Sequence, residues 1–185
     1  AHECRPGIDA PMSSRSPHSL SAPVLLSADH DVSQFDCGKP ALNRWLQRYA
    51  HSNQRNGFTR VLVVCAENRV VGFYGLAPTA VEAVVLPRRI RTGQPPAMIP
   101  AILIGQLAVD RDFSGRGLGS ALLRHALERA IQGIHLLGGR AILVDAIDEE
   151  AEAYWISNGF EPIPGRRSTL FRSAADIESW LALTA

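Results

Sequence analysis

The chain has 185 residues, a formal net charge of +1, 46% hydrophobic and 20% charged residues, which suits one domain with a core large enough to need no staples. No apolar run approaches the roughly 20 residues that cross a bilayer and no basic-then-apolar leader is visible, so a cytoplasmic protein is expected. Cys4, Cys37 and Cys65 are odd in number and lack metal-ligand spacing, which predicts reduced thiols and no metal.

Residues 1–19 have no hydrophobic period and several breakers, so they are expected to form a flexible tail, with Ala1 and Met12 both open as the native start. Residues 20–185 then form a single domain. Leu20 to Leu26 suits a first strand. Pro40 fits a first helical turn, and Leu42, Trp45, Leu46 and Tyr49 at helical spacing predict an amphipathic helix from Ala41 to about Asn53. Thr59–Ala66 and Val70–Ala77, separated by Glu67-Asn68-Arg69, read as a hairpin, which Val81–Val85 would extend. Residues 86–100 carry four prolines, three arginines and a glycine, the composition of a surface loop.

Ile102–Val109 is a nearly continuous apolar strand that runs straight into Asp110-Arg-Asp-Phe-Ser114-Gly-Arg-Gly-Leu-Gly119. Glycines at 115, 117 and 119 allow close backbone approach to an anion, and the free N–H groups of the next helix, predicted from Gly117 to Gly133, point at it along a favourable dipole. The spacing differs from a dinucleotide fingerprint and no Gly-Lys-Ser/Thr follows, which weakens NAD and ATP readings; a tight strand-to-helix turn without ligand is the plain alternative. Ala141–Ile147 should be a second central strand, Glu149–Asn158 a short helix capped by Gly159, Ile163–Phe171 a closing hairpin, and Asp176–Leu183 a last helix. Strand, helix, strand, helix implies a parallel pair with a ligand at its carboxyl ends.

Lys39 is the only lysine among 19 basic residues. A GC-rich coding sequence explains that more simply than selection for phosphate forks. The arginines nevertheless cluster: Arg44, Arg48, Arg55 and Arg60; Arg88, Arg89 and Arg91; Arg166, Arg167 and Arg172. Gathered in space, such groups would make a basic groove despite the near-zero total.

Together these segments resemble the GNAT superfamily of N-acetyltransferases over roughly residues 20–172. Its motif, a strand followed by Arg/Gln-x-x-Gly-x-Gly/Ala and a helix, corresponds to Ser114–Gly119, with Ser114 departing at the first position; a second feature corresponds to Asp148-Glu-Glu-Ala-Glu-Ala-Tyr154-Trp155-Ile-Ser-Asn-Gly159-Phe160. The opening, Leu26 to Leu46 with its Cys-Gly and Leu-Asn-x-Trp-Leu, resembles the acetyltransferase toxins of bacterial toxin and antitoxin pairs. The resemblance implies an α/β GNAT fold: a central mixed twisted sheet of about six to seven strands splayed into a V and flanked by about four helices. It implies acetyl-CoA as co-substrate, the α-amine of an aminoacyl-tRNA as acceptor, a ribbon-helix-helix antitoxin as partner, and leaves a homodimer open.

Carried over residue by residue, Leu107, Ala108 and Val109 would pair with the pantetheine arm, and a backbone N–H near Val109 would meet the developing oxyanion. Ser114, Gly115, Arg116, Gly117, Leu118, Gly119 and Ser120 would hold the pyrophosphate. Asp148 and Trp155 would complete the cofactor site. In the family the tyrosine proposed as general acid stands four residues before the glycine of Gly-Phe; here that position is Trp155, with Tyr154 one place earlier. Tyr154 is the candidate acid, against a dispensable acid or impaired activity. Arg88, Arg89 and Arg91 are the candidate tRNA contacts, Asp110 a lesser acceptor candidate. Two other readings stay open: a metabolic or protein N-acetyltransferase acting on a small amine or peptide, and an acetyl-CoA-binding pseudoenzyme working through a protein partner.

Overall fold

A computed structural model describes residues 19–184; the expectation of a tail over residues 1–18 lies outside them. Seven strands form one sheet: β1 (Val24–Leu25), β2 (Arg60–Ala66), β3 (Arg69–Glu82), β4 (Met98–Val109), β5 (Ala141–Asp145), β6 (Glu161–Pro162) and β7 (Thr169–Ser173), in the order β1-β2-β3-β4-β5-β7-β6. Five helices flank it: α1 (Pro40–Arg48), α2 (Ala50–Arg55), α3 (Leu118–Leu137), α4 (Glu149–Ser157) and α5 (Ala174–Leu183). β2 alternates between two cores, which is why nearly all of it is buried. Val61, Val63 and Cys65 join Leu46 and Ala50 under α1 and α2, while Leu62 and Val64 join Leu122, Leu123, Ala126 and Leu127 of α3.

The predicted single helix from Ala41 is two. At Tyr49 the backbone turns to φ −117°, and its carbonyl is shared by the Asn53 N–H, the Asn53 side-chain amide and the Ser52 hydroxyl. Such side-chain bonds compete with the helical ladder and bend it. α3 runs past Gly133 to a cap at Gly138 with φ 84°; Gly133 instead lies against Ile102, where an added Cβ would sit 3.7 Å from Cδ1. Residues 86–97 are less superficial than their prolines suggest, because Leu86 and Ile90 are buried against Ile99, Leu143 and Phe171.

β4 and β5 make the one parallel pairing between named strands, and it covers only Ala101–Ile104 against Ala141–Val144. On its other side β4 pairs with β3 up to Val109, with an irregularity at Gly75/Leu76: Gly75 faces Gln106 while Leu76 faces Ile104, leaving Gly105 as the extra residue. A bulge adds twist and turns a strand aside. It falls where the β5 pairing stops, so the two strands part from Gly105 onward.

Candidate functional site

The gap between the parted strands is a cavity of about 240 Å³. Gly105–Val109 of β4 form one wall; Asp145, Ile147 and the α4 residues Glu150, Ala151, Tyr154 and Trp155 form the other; Cys37, Lys39 and Leu42 close one side. Alternate peptide groups of Gly105–Val109 point away from β3 with no strand beside them. An extended ligand with amide groups of its own can pair there as an added strand would.

Beyond β4 the chain is set for an anion. Asp110 is 1% exposed; its carboxylate accepts from the N–H of Asp112 (3.0 Å), the N–H of Asp36 (3.1 Å) and the guanidinium of Arg69 (2.9 Å). It is a buried knot rather than a group that can meet a substrate, so its candidacy as an acceptor contact fails. Gly115 and Gly117 have φ of 72° and 82° with nothing within 4 Å of an added Cβ, so backbone conformation alone requires glycine there. Gly117 caps α3 without a side-chain bond and the first turn holds no acidic residue. The earliest helical bond, from Ala121 N–H to Gly117 (3.1 Å), comes after the N–H groups of Leu118, Gly119 and Ser120. Those donors and the helix dipole face the turn together. Ser114 spends its hydroxyl on the Asp110 carbonyl, 3.2 Å away, leaving its backbone for the ligand. Arg116 lies over the Phe113 ring at 5.7 Å.

On α4 the adjacent aromatic residues part company, as the helical step of about 100° requires. Trp155 is 6% exposed and packs edge-on against Phe160 at 5.1 Å. Tyr154 is 37% exposed and lines the cavity, its ring 5.2 Å from Trp155. Burial pushes the Tyr154 phenol above its ordinary pKa. Asp148 caps α4 through the Ala151 N–H (2.8 Å) and pairs with Lys39 (2.8 Å); the Lys39 bond, then the Ala151 N–H, hold its carboxyl below the usual range. All three expected β4 contacts, Leu107, Ala108 and Val109, border the cavity; Leu107 and Val109 pack toward α3, and the Ala108 methyl packs into the core beneath α1.

Arg88, Arg89 and Arg91 lie before the start of β4, a strand roughly 36 Å long at about 3.3 Å per residue whose other end is Val109. Arg89 pairs with Glu161, and the Arg91 Nε is buried without a partner among the described residues. The loop therefore lies at the end of the sheet away from the cavity. The first cluster lies nearer the cavity: no Asp or Glu occurs from Cys37 to Ala66, and Arg44, Arg48, Arg55 and Arg60 are exposed with no ion pair among the described residues. Exposed Tyr49 and Phe58 lie on the same segment. α1 begins at the cavity, and Thr59 stands against Gly75 beside Gln106. The sequence singled out the Cys-Gly opening as distinctive; that Cys37, Lys39 and Leu42 would form a cavity wall depends on a tertiary contact no local pattern encodes.

Residues 57–162 match the acetyltransferase (GNAT) domain family. A tRNA-acetylating toxin of Mycobacterium tuberculosis is 44% identical over 144 residues, which span 78% of this chain and 86% of the relative. Among solved structures, AtaT complexed with acetyl-methionyl-tRNAfMet superposes with a TM-score of 0.80 at 31% identity, covering 88% of this chain and 99% of that one. A tyrosine-to-phenylalanine mutant of the toxin AtaT, bound to the C-terminus of the antitoxin AtaR and to acetyl-CoA, gives 0.76 at 30% identity, covering 89% and 99%.

Proposed function

The chain belongs to the acetyltransferase (GNAT) family, and we propose that it transfers the acetyl group of acetyl-CoA to the α-amine of an aminoacyl-tRNA, as the toxin of a toxin and antitoxin pair. It acts in this reading in the cytoplasm, where charged tRNA is found, and is restrained by a ribbon-helix-helix antitoxin whose tail covers the cleft. One observation carries the reading: the unpaired stretch of β4 leads into the open N-terminus of α3, and the carboxylate-free arginine face of α1 and α2 begins at the same cavity. The first suits a thioester on a pantetheine and pyrophosphate arm; the second suits a polyanion carrying the acceptor amine.

The chemistry asks little of the protein. An α-amine with a pKa of about 8 is roughly one-tenth neutral near pH 7, whereas a lysine amine near 10.4 is neutral in only about one molecule in 2,500. The neutral nitrogen adds to the thioester carbonyl, a β4 backbone N–H near Val109 steadies the oxyanion, the thiolate leaves, and the nitrogen gives up its extra proton to the thiolate or to solvent. Holding both reactants in the V supplies several kcal/mol of the barrier.

The test is incubation of the purified protein with radiolabelled acetyl-CoA and charged tRNA, beside uncharged tRNA, polyamines and peptides. Label on charged tRNA alone supports the reading. Label on small amines or peptides instead assigns a metabolic or protein acetyltransferase, and cofactor binding without any transfer assigns a pseudoenzyme.

A further inference from the structure

Lys39 is the only lysine of the chain, and it stands on the wall of the cavity that also contains Val109 and Tyr154. It precedes α1, with an extended backbone (φ −114°, ψ 102°) that sends the side chain across the mouth of the V. There its Nζ lies 2.8 Å from Asp148 and is paired with Glu150. Among the described residues these are the only hydrogen bonds between the 36–39 turn and α4. The turn's other ties lead elsewhere: the Asp36 N–H to Asp110, the Cys37 N–H to Asn43, and the Arg111 N–H to the Asp36 carbonyl. The Lys39 side chain is thus a clasp between one wall of the cleft and the other, one third exposed.

We propose that Lys39 is a self-acetylation site, acylated by acetyl-CoA bound in this cleft, and that loss of its charge opens the clasp. The proposal rests on the acetyl-CoA part of the functional reading and not on the nature of the acceptor. The ammonium gives one proton to Glu150 or Asp148 and thence to solvent. The neutral nitrogen adds to the thioester carbonyl, the carbon–sulfur bond breaks, and the departing thiolate takes the second proton. The products are an N-acetyl-lysine and the free thiol of CoA, with no oxidant or further reactant. The bonds to Asp148, then to Glu150, hold the Lys39 amine above its ordinary pKa, so the reaction is slow and waits on opening of the pair. Acetylation removes both ion pairs but leaves the Asp148 bond to the Ala151 N–H, so α4 keeps its cap while its first turn separates from the 36–39 turn.

The experiment uses the intact protein with acetyl-CoA and no RNA, read by intact mass and peptide mass spectrometry. With one lysine, a side-chain acetyl-lysine signal has one source. The expected result is a single acetyl group on Lys39, formed at a rate that saturates with acetyl-CoA and is suppressed by excess CoA. It is absent in Lys39→Arg, and about two- to five-fold faster in Glu150→Gln, the scale of one exposed ion pair. Amide exchange in the first turn of α4 quickens in the acetylated protein. No acetyl-Lys39 in the wild type or in Glu150→Gln, with acetyl-CoA binding confirmed by calorimetry, overturns the proposal. So does acetylation that proceeds equally in unfolded protein or ignores competing CoA. Failure to label charged tRNA in the separate acceptor assay leaves this result untouched, which keeps the two readings distinguishable.

Discussion

Tyr154→Phe removes one hydroxyl from the cleft while keeping the ring contact with Trp155 at 5.2 Å. Burial holds the phenol above its ordinary value, and an ordinary phenol near 10 already exceeds a thiol near 8.5 by about 1.5 pH units. Full proton transfer to the leaving thiolate is therefore uphill, and the hydroxyl serves as a hydrogen-bond donor to developing charge. A bond to a charged partner contributes about 1.5–3 kcal/mol, which predicts a roughly 10- to 100-fold loss in kcat. Loss of a true general acid would reach about 10²–10⁴. The assay is steady-state acetyl transfer with kcat and the KM for acetyl-CoA measured from about pH 6 to 9. The expected KM is unchanged, and the ratio of wild type to variant is flat with pH, because the phenol stays protonated throughout. A change smaller than two-fold refutes a role for the hydroxyl, and a ratio that collapses above about pH 8 refutes the argument from burial.

Gly117→Ala meets no atom within 4 Å and suffers only from its φ of 82°, so urea unfolding should show a loss of about 1–2 kcal/mol, with weaker acetyl-CoA binding by calorimetry as the turn relaxes; a variant unchanged in both disproves the conformational argument. Trp155→Ala removes a nearly buried ring packed on Phe160 and should cost about 3–5 kcal/mol in urea unfolding; a cost below about 1 kcal/mol would mean that the indole is not a core group. His125, whose Nδ1 lies 2.7 Å from the Tyr74 hydroxyl, is held below its ordinary pKa by burial. The unfolded chain then binds the extra proton first, so stability is full above about pH 6.5 and falls as the pH drops through and below that value. Thermal melts at pH 8 and 5.5 should show that fall in the wild type and a shallower one in His125→Gln, and equal slopes would exonerate His125.

The strands and helices that do the binding were legible because their signals are local. The apolar run ending at Val109, the glycines at 115 and 117, and the dipole-ready start of α3 lie within one short stretch. The errors lie where a distant residue decides. Gly133 reads as a helix end until Ile102 is seen packing on it, and the proline-rich 86–97 segment reads as surface until Ile90 is seen beneath it. Arg88, Arg89 and Arg91 are expected as tRNA contacts because their loop is read as flanking the acceptor side, whereas the antiparallel run of β3 into β4 sets that loop at the end of the sheet away from Val109. The cleft follows from the parallel pair and from the V that the family resemblance implies. Its exact start depends on the one-residue slip at Gly105, which alternation in the sequence does not announce.

The order of Tyr154 and Trp155 follows from what each position requires. Position 155 packs on Phe160 and is 6% exposed where it borders the cavity, so an indole there fills core volume that a phenol would leave. Position 154 faces the cleft, where a hydroxyl can reach both water and a ligand. A tyrosine moved by one residue is also swung by about 100° around the helix, so its oxygen meets a different part of the thioester than an oxygen at 155 would. An enzyme whose step depended on forced protonation of a poor leaving group would lose most of its rate by such a move. In the proposed reaction the leaving group is a thiolate and the acceptor an amine about one-tenth neutral near pH 7, roughly 200-fold more than a lysine amine would be. Both ends of the reaction tolerate an approximate donor, and selection could favour the better-packed core at 155 at small catalytic cost.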